Sequence, residues 1–158
     1  MRHTNPVESQ PIAVSVNGIT RHDVVPVRLL LPDYLREWRG RAGTHVGCGH
    51  GVCGSCTVLL DGEPVRSCLV LAVRTDGQEV RTVEGLSESG QLSHLQECFR
   101  RHHALQCGFC TPGILMTSQA LIERDGHVTK DDVKEAVSGH VCRCTGYEPI
   151  VGALCEAT

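Results

Sequence analysis

Three thiols and three glycines fall within nine residues, Cys48-Gly49-His50-Gly51-Val52-Cys53-Gly54-Ser55-Cys56. Three cysteines this close cannot all pair with one another, and glycines make a poor apolar core, so the stretch suits wrapping backbone around a bound group. The spacing C-x4-C-x2-C, with Cys68 as a fourth thiol after eleven intervening residues, is the plant-type [2Fe-2S] pattern, with zinc as its competitor. A second set follows: Cys107 and Cys110, then, after thirty-one residues, Cys142 and Cys144. By spacing alone that set suits zinc and iron-sulfur equally, since both accept four thiolates. Eight of the ten cysteines thus form two groups of four, and the remaining two, Cys98 and Cys155, are expected to be buried as small apolar side chains.

Little else in the chain offers chemistry. Of nine histidines, His94, His102, His103, His127 and His140 are expected to cap helices or face solvent. His50 lies inside the cysteine loop, but a Rieske centre needs two histidines in place of two cysteines, and four cysteines are already present. There is no Ser-His-Asp order, phosphate loop or dinucleotide fingerprint, so no catalytic residue is expected on this chain.

Composition narrows the class further. The formal net charge is -3 and the 15 Lys and Arg are dispersed, which argues against a nucleic-acid partner. The first residues lack the apolar stretch of a signal peptide, and the longest apolar run, Cys68 to Val73, is far too short to span a bilayer. A soluble, cytoplasmic protein is expected, and ten cysteines there favour metal ligation over a disulfide framework. With 158 residues and only 3% aromatics there is little large apolar surface to bury, so bound clusters would add to stability.

The elements that must position these thiols can be read in order. Ile12–Val16 alternates into Asn17-Gly18 and on to Ile19–Val25, a hairpin. Leu29–Trp38 reads as a short helix with Pro32 and Asp33 in its first turn. Glycines of the Arg39–Cys56 loop let backbone N-H groups point at cluster sulfurs. Thr57–Leu60, a four-residue turn Asp61–Pro64, and Val65–Cys68 read as a second hairpin whose pairing of Leu60 with Val65 sets Cys68 opposite Thr57. Leu69–Val73 and Glu79–Val83 read as further strands, and Ser87–Gly90 as a linker.

The second half is helical. Leu92, Leu95, Phe99 and His102 recur at helix spacing up to Ala104. Thr111-Pro112 opens a helix with a hydroxyl cap, an apolar face of Ile114, Leu115, Leu121 and Ile122, and a stop at Asp125-Gly126. Thr129-Lys130-Asp131-Asp132 opens the next, with Val133, Ala136 and Val137 inward and Ser138-Gly139 at its end. At about 1.5 Å per residue these two antiparallel helices return Cys142 and Cys144 towards Cys107 and Cys110. A last helix runs from Pro149 to Cys155. The expected divisions are a tail over 1–10, a ferredoxin-type domain over 11–88 and a helical domain over 89–158.

With both cysteine sets placed, the chain resembles the small iron-sulfur subunit of the molybdenum hydroxylases, the xanthine dehydrogenase and aldehyde oxidase family. The resemblance rests on Val46-Gly47-Cys48, Gly51–Cys56, Thr82-Val83-Glu84-Gly85-Leu86, Gln106–Gly113 and Cys142–Tyr147. It implies an α+β chain: a β-grasp plant-type ferredoxin-like domain, then an all-α four-helix domain, each with one [2Fe-2S] cluster. It also implies a heterotrimer or a dimer of heterotrimers. In it a large subunit binds molybdopterin in a dinucleotide form and hydroxylates substrate with water-derived oxygen, while a medium subunit binds FAD.

Electrons would leave molybdenum for the cluster on Cys107, Cys110, Cys142 and Cys144, pass to that on Cys48, Cys53, Cys56 and Cys68, and exit to the flavin. By position Gln106 matches the family glutamine whose amide hydrogen-bonds the pterin, and Cys144 the ligand nearest to it. With the sequence ending at Thr158, the flavin and molybdenum domains are expected on separate polypeptides. Gly49-His50 departs from the family's usual text and is expected to shift the first cluster's potential, and Pro32 interrupts a Leu-rich helix. A free-standing two-cluster ferredoxin and a zinc-stabilised structural protein are the alternative readings.

Overall fold

The computed structural model describes residues 8–87, 90–124 and 128–158. Strands β1 (Ser9–Val16) and β2 (Ile19–Pro26) form the expected hairpin, and Asn17 and Gly18, with φ of 51° and 77°, make the two-residue turn that Asn-Gly favours. Strands β3 (Thr57–Leu60), β4 (Glu63–Arg66) and β5 (Glu79–Arg81) complete a five-stranded sheet in the order β2-β1-β5-β3-β4. The β1–β5 pairing is parallel and the others are antiparallel.

The first helix starts later than Leu29. Leu30 is extended and bridges to Leu71, and helix α1 covers Leu31–Asp33 with Pro32 in its first turn. It continues as a π-helical turn over Tyr34–Trp38. Leu31, Tyr34 and Leu35 are fully buried against Val14, Val16, Val25, Val58, Ala72 and Val80, which form the core of the β half. Each such side chain contributes about 1.5–3 kcal/mol by burial.

Three sequence expectations in this half need correction. The second hairpin turns on two residues, not four: Asp61 and Gly62 both have positive φ, so Leu60 pairs with Glu63 and Thr57 with Arg66. Pro64 is accommodated because β4 is an edge strand. Cys68 is therefore not opposite Thr57 but lies beyond the strand, in a 3-10 turn over Ser67–Leu69. The Leu69–Val73 strand is absent as well; Ala72–Thr75 is a second 3-10 turn, and β5 gives way to a third over Val83–Leu86. Of the Ser87–Gly90 linker, residues 88 and 89 lie outside the described residues.

Four helices follow: α2 (His94–Arg101), α3 (Thr111–Arg124), α4 (Lys130–Ser138) and α5 (Glu148–Ala157). Ser93 caps α2 through a reciprocal pair with Gln96, so the helix begins after Leu92, which is exposed, and ends before His102. Thr129 and Asp132 form the expected capping box on α4. Thr111 does not cap α3, since its hydroxyl is buried without a partner. The Asp125-Gly126 stop and His127 lie outside the described residues.

Helix α3 is buried on more than one face. Ile114, Leu115 and Leu121 enter the helical core with Leu95, Phe99, Val133, Val137, Ile150 and Leu154. Met116 and Ala120 pack on Leu59 of β3. Strand β3 consequently faces both cores, Val58 joining the cluster of Leu31, Tyr34 and Leu35 and Leu59 that of α3, and Thr57, Val58 and Leu59 are all buried. Cys98 is buried as expected, but Cys155 is exposed on α5, and His140 is 97% buried rather than solvated. No helix among the described residues is long and apolar enough to cross a membrane.

Candidate metal centres

The first four thiols come from a loop and a turn at one end of the sheet. Gly49, Gly51 and Gly54 take positive φ, which lets the loop fold back so that Cys53 N-H points at Cys48 Sγ, 3.4 Å away. Backbone amides of Cys53 and His50 stabilise the Cys48 thiolate and bring its pKa down to about 6. Ser67 ties the returning strand to the loop, its N-H and hydroxyl donating to Cys56 O at 3.3 and 2.7 Å. That contact, rather than strand register, brings Cys68 beside Cys56. Burial pushes the Cys68 thiol up to about 11, reinforced by the neighbouring Cys56 thiol.

The second set is gathered where α3 begins and α4 has ended. Cys107 and Cys144 are exposed, with their sulfurs 3.6 Å apart. Cys110 is buried at the N-terminal end of α3, and burial followed by the adjacent Cys142 thiol pushes it up to about 12. Burial also raises Cys142, but the Thr145 hydroxyl 3.1 Å from its sulfur and the amides of Thr145 and Cys144 outweigh that and leave it lowered. Gln106 is exposed beside these thiols, and its side-chain amide donates to Cys144 O at 3.1 Å.

Both sets fit a binuclear group. The thiols approach in pairs, Cys48 with Cys53 and Cys56 with Cys68, then Cys107 with Cys144 and Cys110 with Cys142. Two thiols per iron is the division that a [2Fe-2S] cluster requires, and the glycine-lined loop and the helix N-terminus supply N-H groups and partial positive charge for it.

The two sets meet across one seam that sequence reasoning did not anticipate. Val141 N-H donates to Cys53 O at 2.9 Å. His45 stacks on Phe109 with ring centroids 4.9 Å apart, and its Nδ1 is 2.9 Å from Phe109 O. A side chain at Gly47 would meet Cys53 Sγ and the Phe109 ring at 3.1 and 3.2 Å, and one at Gly113 would run into the backbone of Gly54 and Ser55. His140 packs on Gly54 and pairs through Nε2 with the Thr117 hydroxyl at 2.8 Å; burial and Arg66 bring its pKa down to about 4. Arg66 also donates to Gly139 O at 2.7 Å. The Gly47–Cys53 approach apart, these contacts have no local signature, because they join residues more than twenty positions apart.

Comparison with known proteins agrees with this geometry. Residues 14–87 match the 2Fe-2S iron-sulfur cluster binding domain and residues 82–155 the [2Fe-2S] binding domain. The chain is 52% identical to the nicotine 6-hydroxylase small subunit of Paenarthrobacter nicotinovorans, over 99% of this chain and 94% of that one. It is 39% identical to the xanthine dehydrogenase iron-sulfur-binding subunit of Escherichia coli O157:H7, over 98% and 99%. The crystal structure of quinoline 2-oxidoreductase from Pseudomonas putida 86 superposes with a TM-score of 0.89 at 51% identity, over 92% of this chain and 90% of that one. The chain thus belongs to the small iron-sulfur subunits of the xanthine dehydrogenase and aldehyde oxidase family of molybdenum hydroxylases, electron-transfer subunits that work beside larger partner subunits.

Proposed function

We propose that this chain holds one [2Fe-2S] cluster on Cys48, Cys53, Cys56 and Cys68 and a second on Cys107, Cys110, Cys142 and Cys144. The observation that carries the assignment is the gathering of eight thiols into two sets of two pairs. The clusters supply reversible one-electron storage. The chain's own residues set where that storage sits: amides of Cys53 and His50 favour charge at Cys48, and the Thr145 hydroxyl with the amides of Thr145 and Cys144 favours charge at Cys142. Exposed Cys107, Cys144 and Gln106 form the entry face, where the Gln106 amide meets the molybdopterin of a large subunit. The loop around Cys48 is the exit face towards the FAD of a medium subunit.

The assembly is a heterotrimer, single or paired, in the cytoplasm, and the functional division of the chain falls at 88/89. The nicotine, xanthine and quinoline enzymes compared above are all named for nitrogen heteroaromatic compounds, and we infer that class of substrate, with its pocket on the large subunit. Electron paramagnetic resonance of the dithionite-reduced protein tests the assignment. Two distinct [2Fe-2S] signals are expected, each lost on replacing cysteines of its own set; one signal, or zinc in place of iron, overturns it. Gel filtration that retains the larger subunits separates this reading from a free-standing ferredoxin.

A further inference from the structure

We propose that Thr145 and Tyr147 act together to set the reduction potential of the second cysteine set, Thr145 as the hydrogen-bond donor to Cys142 Sγ and Tyr147 as the residue that aims it; this rests on the ligand assignment above. Thr145 Oγ1 lies 3.1 Å from Cys142 Sγ. A thiolate that ligates iron carries no proton, so the hydroxyl must be the donor of that pair. A second contact leaves it free to do so: Tyr147 N-H donates to Thr145 Oγ1 at 3.2 Å. That bond takes a lone pair of the oxygen, and the single hydroxyl hydrogen is left for the sulfur. Among the described residues Thr145 is the one hydroxyl within hydrogen-bond reach of any thiol of either set. The first set has no counterpart; its Cys48 is met by the main-chain N-H of Cys53.

Tyr147 grips both partners of the contact. Its main-chain N-H holds Thr145, while its hydroxyl accepts from Cys142 N at 2.8 Å and donates to His140 O at 3.0 Å. This double grip requires the chain to fold back within three residues, and Gly146 and Tyr147 both take left-handed backbone, with φ of 67° and 69°. A tyrosine at that φ is strained and persists where its surroundings over-determine it. Here they do: Tyr147 O accepts from Val151 N at 2.9 Å as α5 begins, and its hydroxyl is engaged on both sides. The Thr145 dipole is therefore in place before any electron arrives. One electron from the molybdenum subunit adds one negative charge and the hydroxyl keeps its proton, so no proton moves. The O-H dipole stabilises the more negative, reduced state more than the oxidised one, which raises the reduction potential. A purely structural Thr145, serving only to hold Tyr147 N-H, would leave that potential where it is.

The test is a redox titration of the purified complex in which the electron paramagnetic resonance signal of each cluster is followed separately. Thr145→Val keeps the shape and removes the hydroxyl. The midpoint of the second cluster is expected to shift to lower potential while that of the first stays, so that partial reduction populates the first signal at the expense of the second. Thr145→Ser is expected to restore the wild-type midpoint. A midpoint unchanged in Thr145→Val, or shifted as far in Thr145→Ser, overturns the proposal. Should Thr145→Val fail to load the second cluster, Thr145→Ser protein grown on serine with 17O in its hydroxyl decides instead. An oxygen coupling on the second signal that equally labelled wild type lacks supports the bond, and its absence overturns it. Absence of two signals in the unsubstituted complex would instead defeat the ligand assignment.

Discussion

Gln106 shows how one side chain can serve both the chain and its partner. Its amide nitrogen donates to Cys144 O while the residue remains exposed, so the thiol nearest the entry face and the group expected to meet the pterin are held in fixed relation. Gln106→Ala removes this intrachain bond together with the amide proposed to meet the pterin, and losing one pterin hydrogen bond of about 1 kcal/mol corresponds to about fivefold in the affinity of docking. Both clusters are expected to remain, with slower reduction of the clusters by substrate. Rapid-mixing spectroscopy together with a titration of the large subunit would show this, and unchanged kinetics would remove Gln106 from the entry face. Its position before Cys107 was legible in the sequence through the family motif. Its bond to Cys144 was not, because that bond spans 38 residues.

Between elements, β5 and α3 are joined by the Arg81–Glu123 ion pair, in which Arg81 Nη1 donates to Glu123 Oε1 at 2.9 Å and Gln119 adds a bond from the same helix. Arg81 lowers the Glu123 pKa through its hydrogen bond. A carboxylate held below its unfolded value stabilises the fold above that value, and the stabilisation is lost as pH falls through the ordinary 4.5 towards the folded pKa. Glu123→Gln is therefore expected to cost about 0.5–1 kcal/mol at neutral pH, a modest figure because both side chains are partly exposed. The difference from wild type should shrink as the pH drops below 4.5. Thermal unfolding of both proteins across that range checks the sign, and a gap that widens on acidification would contradict it.

At this same scale the sequence was most and least readable. Asn17-Gly18 and the Thr129–Asp132 cap were legible because their geometry is local. The second hairpin slipped because Asp61-Gly62 and Glu63-Pro64 both look like turn residues, and only the positive φ of the former pair decides between them. The Leu69–Val73 run looked like a strand by hydrophobicity, yet its backbone is needed to return Cys68 to the loop and to bridge Leu71 with Leu30. The outward face of α3 escaped notice because its second partner, Leu59, belongs to the other half of the chain.

The molecule as a whole has two modest cores and a thin third patch of Leu59, Met116 and Ala120 between them. Tyr34 and Phe99 are the large aromatics fully buried, so ligand binding confined to the folded state carries weight that packing does not. The stacking of His45 on Phe109 adds a consequence for maturation. Each cysteine loop contributes part of the other's wall: Phe109 arises between Cys107 and Cys110 yet covers Gly47, and His45 precedes Cys48 yet braces Phe109. Filling either loop orders a surface of its neighbour, so iron-sulfur loading is expected to be cooperative, passing from empty to doubly filled with few singly loaded molecules. Native mass spectrometry during limiting reconstitution would reveal the populations, and a dominant two-iron species would refute cooperativity. His45→Ala would then let that half-loaded form accumulate, turning an all-or-none assembly into a stepwise one.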